Sequence, residues 1–305
     1  MSSDRVHIDI CIATYKRPHL LAELLESLIC QRVASDISLS IVIVDNDAAG
    51  SAQAVVESFQ KKLLLPIIYD IEPVQNIALT RNRTVSYAHG DFIAFIDDDE
   101  RADVEWIQTL YENLLFYDAA AVFGPVVPIL PDSAPDWVNR GHFFDGPRFK
   151  AGTSIATGRT GNAMVRAEYA KRFTPVFNPE FGQTGGEDVN FFDKIISLGG
   201  KLVWCDSAIV YETVHADRLN VVYLAKRAFR GGQTYASMML KRYGILKKIA
   251  WFFYRVGLLI IAAIAFLVAW PFRRHWGVKA LQKVCSNLGQ LSTLTPYRYR
   301  GYVPK

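Results

Sequence analysis

Beyond Asp217 the chain has no aspartate and no glutamate, although its 305 residues include 30 acids. The residues up to Asp217 carry 18 Lys and Arg against all 30 acids, and the remainder carries 16 Lys and Arg alone. The formal net charge of +4 therefore conceals two physically different modules. Cysteine is scarce as well: Cys11, Cys30, Cys205 and Cys285 form no CxxC pair, which excludes a thiolate metal site and suits reduced thiols in a reducing compartment. Residues 1–8 are polar and have no apolar signal core, so the acidic module is expected to stay in the cytoplasm. Internal repeats and low-complexity linkers are also missing. Half of the residues are hydrophobic, which excludes a disordered chain.

A tail without acids suits either nucleic acid or anionic lipid, and its composition decides for lipid. Residues 256–272 hold no charge. Extended back to Ile249, the apolar run reaches the roughly twenty residues needed to cross a hydrocarbon core, broken only by Arg255. Trp251, Phe252, Phe253 and Tyr254 at one end and Trp270 and Trp276 at the other read as interfacial aromatic belts. Lys247 and Lys248 precede the run and Arg273 and Arg274 follow it, so flanking charge gives no orientation. A single span, a re-entrant helix and a deep interfacial helix all stay open. Residues 218–242 read as basic amphipathic helix on both sides of a Gly231-Gly232 break, lying on anionic lipid. The expected division is 1–217 as a catalytic module, 218–248 as a membrane-surface segment, 249–272 as the membrane helix and 273–305 as a basic tail. No nucleic-acid partner is expected.

The first half alternates strand-like and helix-like stretches. Residues 6–13, 39–44, 66–71 and 92–96 read as strands, and 18–31, 51–62, 76–89 and 104–117 as helices. That order predicts an α/β fold with a mostly parallel sheet covered by helices on both faces. After a strand at 120–124, residues 125–150 are rich in proline and aromatics and predict a substrate-facing flap. Its Trp137, Phe143 and Phe144 suit core packing as well as sugar stacking. A strand at 161–166, a glycine-rich turn at 182–186, a helix at 188–198 and a strand at 201–205 follow.

Asp97, Asp98, Asp99 and Glu100 crowd the exit of the buried strand at 92–96. Like charges so placed repel unless something compensates, most simply a hard divalent cation on oxygen ligands. In an open α/β sheet that strand end is where ligands bind. ATYKRP closes the first strand and VDND the second, NIALTRN opens the helix leading to GDFIAFIDDDE, and GGED opens a later helix.

Together these segments resemble an inverting glycosyltransferase of family 2 with the GT-A fold, a Rossmann-like sheet, over about residues 6 to 215. The resemblance implies a nucleotide-sugar donor, most often a UDP-sugar, held by Ala13, Thr14, Asp45 and Arg81, with Asp98 near the ribose and Asn162 on the donor side. It implies Mg2+ or Mn2+ on Asp97 and Asp99, with His215 as a further metal ligand. Asp188 matches the general base, and Glu187 would orient the acceptor or that base. Processive members carry QxxRW and several membrane helices; this chain has neither, so transfer of one sugar is expected. Placed at the cytoplasmic face of the inner membrane, it would act on a polyprenyl-pyrophosphate-linked sugar during assembly of a bacterial polysaccharide. Each residue also has a plainer reading: Asp45 capping the next turn, Arg81 pairing with an acid, and Glu187 and Asp188 as helix N-terminal acids. Two rivals stand beside the enzyme. A nucleotidyltransferase would show a glycine-rich phosphate loop, which ATYKRP is not; an inactive membrane-bound scaffold would have lost one of the acidic motifs.

Overall fold

The computed structural model describes residues 5–62, 65–241 and 243–299. Arg242, at the end of the expected amphipathic stretch, and residues 300–305 of the expected tail lie outside the described residues, as do residues 1–4, 63 and 64. The chain forms two compact units, one of residues up to Val127 with Gly146–Glu212, the other of Pro128–Asp145 with the chain from Thr213 onward. The sequence places a boundary after Asp217; the division between the two units comes after Glu212.

In the first unit, strands β1 (Val6–Thr14), β2 (Ile37–Asp45), β3 (Ile67–Ile71), β4 (Phe92–Ile96), β5 (Glu100–Ala102), β6 (Ala121–Phe123), β7 (Val126–Ile129, which ends in the second unit), β8 (Asn162–Arg166), β9 (Leu202–Trp204) and β10 (Val210–Thr213) alternate with helices. The helices are α1 (Pro18–Ile29), α2 (Gln53–Gln60), α3 (Ile77–Tyr87), α4 (Trp106–Phe116), α6 (Ala167–Ala170) and α7 (Glu187–Ser197), with α5 (Asp136–Gly141) in the second unit. Seven strands join in the order β3-β2-β1-β4-β8-β6-β9, and β5-β10-β7 form a smaller sheet. The pairs β3-β2, β2-β1, β1-β4 and β6-β9 are parallel; β8 runs antiparallel to β4 and β6. Strand alternation sends Ile8, Ile10 and Ile12 to one face, against Leu21, Leu24, Leu25 and Leu28 of α1 and Trp106 of α4. Cys11, Val42 and Phe95 go to the other, against Ala78 of α3 and Phe191, Phe192 and Ile195 of α7. Apolar runs buried on both faces make this sheet mostly parallel, as expected.

The second unit contains α5, α8 (Val221–Lys241), α9 (Ile245–Ala269) and α10 (Arg274–Ser292). Here residues 125–150 depart from the expected flap. Val138, Phe143 and Phe144 are buried with Val214, Leu219, Leu224 and Val278, and Trp137 packs against them. The aromatic side chains form this unit's core and leave no sugar-stacking platform.

The expected break at Gly231-Gly232 is also absent, since α8 runs through it without interruption. Packing explains this. A Cβ on Gly232 would lie 2.2 Å from the Ser286 carbonyl oxygen, and one on Gly289 would lie 2.0 Å from that of Phe229. The two glycines thus let the backbones of α8 and α10 touch, which offsets their helix cost of about 1 kcal/mol each. Gly231, by contrast, has nothing within 4 Å of a Cβ. Gly232→Ala is expected to destabilise this unit by about 1–3 kcal/mol in urea unfolding, whereas Gly231→Ala should be neutral or stabilising by up to about 1 kcal/mol.

Candidate active site

Strands β1 and β4 lie side by side and parallel, so the chain after Thr14 and the chain after Ile96 leave the sheet at the same edge. Thr14 donates its hydroxyl to Asp98 at 2.8 Å. Arg17, the N-cap residue of α1, reaches Asp98 at 3.2 Å and Asp99 at 3.1 Å through Nη1. Asp98 is buried, and burial pushes its carboxyl up to about 6 against the opposing pull of Arg17. Asp98, expected near a ribose, ties the first strand end to the aspartate turn. The Asp97 amide donates to Glu100 at 2.9 Å. Glu100 is buried beside Asp97 and Asp99, and burial foremost raises its carboxyl well above the ordinary range.

Asp97 keeps 43% of its side-chain exposure. Its carboxyl is nonetheless raised, first by lost hydration in a crowded setting and then by repulsion from Asp99 and Asp188, with Arg81 opposing.

The opening of α3 has a role that the sequence reading missed. Asn76 caps the helix by accepting from the Ala78 and Leu79 amides at 3.0 and 3.1 Å, and it donates to the Pro179 carbonyl at 3.0 Å. Asn82 exchanges two 2.8 Å hydrogen bonds with the backbone of Phe177. Gly182 passes so close that a Cβ would sit 1.6 Å from Asn76 Oδ1. Arg81 then donates Nη1 to Glu187 and Nη2 to Asp97, the latter at 2.9 Å. Helix α3 thus holds the 177–187 segment, and Arg81 bridges the two acidic motifs.

Gly185 and Gly186, at φ of 83° and 98°, make the left-handed turn that starts α7. Glu187 is 2% exposed, and its Oε2 is buried without a hydrogen-bond partner. Burial pushes its carboxyl up to about 7, with Arg81 opposing and Asp188 adding to the rise. Asp188 is partly exposed, and among the described residues its one hydrogen bond comes from the Val189 amide at 2.7 Å. Buried Glu187 and accessible Asp188 therefore differ in role.

The pH consequence follows from the sign of the Glu187 shift. A carboxyl raised on folding from 4.5 to about 7 binds its proton more tightly in the native state. The stability this contributes is complete below about 4.5 and is lost as pH rises through about 7. In chelator, the protein is therefore expected to melt at lower temperature at pH 8 than at pH 5, and Glu187→Gln should flatten that slope in thermal unfolding; an unchanged slope would contradict the assignment.

Other expected residues take different positions. Asp45 is fully buried and accepts from the Asp47 amide at 2.9 Å, the Ala52 amide at 2.8 Å, Ser51 at 3.3 Å and Tyr69 at 3.2 Å. It organises the 46–52 turn, the capping role that is its plainer reading, and Asp47 is the more exposed acid of that strand end. Asn162, also buried, accepts from Trp106 at 2.8 Å and donates to the Pro125 and Ala208 carbonyls at 3.0 and 2.7 Å. With both amide hydrogens engaged it braces the sheet, and its neighbour Gly161 is what adjoins the acids: a Cβ there would come 2.9 Å from Glu100 and 3.3 Å from Asp97. Ala13, at the end of β1, pairs with Val44. His215 belongs to the second unit, at the start of a 3-10 turn over Ala216–Arg218. Among the described residues no three His, Cys, Asp or Glu side chains converge on one point.

Two carboxylates still suit a hard cation that takes its other ligands from a substrate's phosphates and water. The acids Asp97, Asp98, Asp99, Glu100, Glu187 and Asp188 are answered in the described ion pairs by Arg17 and Arg81, which leaves negative charge in excess. The carboxylate oxygens of Asp97 and Asp99 are of the donor type that Mg2+ or Mn2+ takes.

The model of the family described as Glycosyl transferase family 2 matches residues 9–174. The succinoglycan biosynthesis protein ExoM of Rhizobium meliloti (strain 1021) is 37% identical over 242 residues, covering 79% of this chain and 78% of that protein. Among solved structures, the mannosyltransferase PcManGT from Pyrobaculum calidifontis in complex with GDP-Man and Mn2+ superposes with a TM-score of 0.65 at 16% identity, covering 95% of this chain and 87% of that one. S. aureus TarS 1-349 in complex with UDP-GlcNAc gives a TM-score of 0.55 at 14% identity over 96% and 93% of the two chains. These two likenesses are of fold.

Proposed function

The chain belongs to glycosyl transferase family 2, and from that premise we propose that it moves one sugar from a UDP-sugar to a lipid-linked or glycan acceptor at the cytoplasmic face of the inner membrane, in polysaccharide biosynthesis. The observation that carries this reading is Arg81, which joins Asp97 of the aspartate turn to Glu187 beside Asp188 and so sets donor-side and acceptor-side acids in one site.

Asp97 and Asp99 would hold a divalent cation, with Arg17 and Thr14 fixing the turn through Asp98 and Asp99. When bound, that cation neutralises the diphosphate that departs with the bonding electrons. Asp188 takes the acceptor hydroxyl's proton as its oxygen bonds to the anomeric carbon and the carbon–phosphate-oxygen bond breaks. One displacement from the opposite face inverts that carbon, through an oxocarbenium-like transition state. Glu187, pinned by Arg81, positions the turn that carries Asp188.

The relative's role in succinoglycan biosynthesis supports a polysaccharide pathway, and the acceptor we propose within it is a polyprenyl-pyrophosphate-linked sugar. Among the described residues, α9 is the one helix long and apolar enough to cross a membrane. However, α10 packs on α9 and carries Lys279 and Lys283. Taking those charges through hydrocarbon would cost about 2.5–3.5 kcal/mol each, which favours α9 seated in one leaflet. Incubation with UDP-sugars and polyprenyl-pyrophosphate oligosaccharides is expected to yield a product longer by one sugar. A ladder of added sugars would contradict single transfer, and nucleotide binding without transfer to any acceptor would favour the scaffold.

A further inference from the structure

Arg255 interrupts the apolar run of α9 and sits on that helix's covered stripe, one turn after Trp251, which is 7% exposed. Its guanidinium carbon lies 5.8 Å from the Trp251 ring centroid, 5.3 Å from that of Tyr254 and 5.6 Å from that of Tyr235 on α8. Ring faces attract the charge but leave in-plane N–H groups without acceptors. Accordingly, Arg255 Nε and Trp251 Nε1 are both buried with no hydrogen-bond partner. A buried donor without an acceptor is costly, more so when charged. No aspartate or glutamate follows Asp217 along the chain.

Two unsatisfied donors one turn apart, one of them cationic, call for an anionic oxygen ligand. The guanidinium fork suits phosphate. The surroundings indicate what carries that phosphate: Ile249, Phe253 and Ile260 on the same helix are 50%, 68% and 55% exposed, an apolar surface fit for acyl or prenyl chains. Tyr235 and Tyr254, whose rings flank the guanidinium, are 47% and 60% exposed. We propose that Arg255 and Trp251 form a binding site for the phosphate of a membrane lipid, with the guanidinium and the indole N–H donating to its oxygens. Phospholipid headgroups and polyprenyl phosphates share this chemistry. The site rests on the membrane association proposed above and deepens it.

The test is flotation of the full-length protein with vesicles of phosphatidylcholine alone, with added phosphatidic acid, or with added polyprenyl phosphate. The wild type should favour an added lipid over plain phosphatidylcholine by about tenfold or more. Arg255→Gln should abolish the preference while still binding plain vesicles, and Arg255→Lys, which keeps the charge without the fork, should retain part of it. Loss confined to phosphatidic acid or to polyprenyl phosphate identifies the source. UDP binding and thermal unfolding of each variant establish that the chain is folded. A preference that persists in Arg255→Gln overturns the site and assigns lipid attraction to the other basic residues. Failure of the wild type to bind any vesicle overturns the membrane reading and the site with it.

Discussion

Replacing Asp188 by Asn is expected to lower sugar transfer by about a thousandfold, within the range that loss of a general base produces, while UDP affinity changes less than twofold. The asymmetry follows from position. Asp188 is partly exposed and bonds to its own helix start, so the amide removes the basic oxygen without disturbing a partner. Glu187, one residue earlier, is buried against Arg81, and its replacement acts through folding as well as turnover. Transfer measured with radiolabelled UDP-sugar, alongside calorimetric UDP binding, separates the two roles. Wild-type turnover in Asp188→Asn would remove Asp188 as the base.

Arg81→Leu should be the most damaging single change to stability in the site. Its guanidinium bridges Asp97 and Glu187, and Glu187 is almost wholly buried. Removing one member of a buried ion pair costs about 3–5 kcal/mol, because the remaining charge has no partner. Urea unfolding should show that loss, and transfer should cease. Adding Glu187→Leu to Arg81→Leu is expected to recover stability, since an apolar pair replaces an orphaned charge, without recovering activity. Recovery of transfer in the double variant would mean that the bridge has no part in catalysis.

Much of the first unit was legible because its strands are continuous apolar runs and its helices carry clear periodicity, as in residues 92–96 and 18–31. The aspartate and GGED motifs were legible as sequence, but their wiring was not. Arg81 reads as a nucleotide ligand until Glu187, 106 positions away, is seen on its other arm. Asp45 and Asn162 show a related limit: an isolated polar residue at a strand end gives no sign of whether its hydrogen bonds go inward, so the capping reading of Asp45 could be stated but not chosen. The second unit shows a different limit. Gly231-Gly232 suggests a break, and only the nearness of Ser286 shows that one of the two glycines permits helix contact. Likewise the proline-rich segment looked like a loop because its apolar partners, Leu224 and Val278, lie far along the chain.

The most direct test of the central claim, a nucleotide diphosphate held through a cation on Asp97 and Asp99, is calorimetric titration of the detergent-purified protein with UDP, GDP and dTDP in Mn2+ and again in chelator. UDP is expected to bind in Mn2+, to lose that binding in chelator, and to bind Asp99→Ala only weakly. Binding of none of the three nucleotides, or UDP binding of equal strength in chelator, would contradict it.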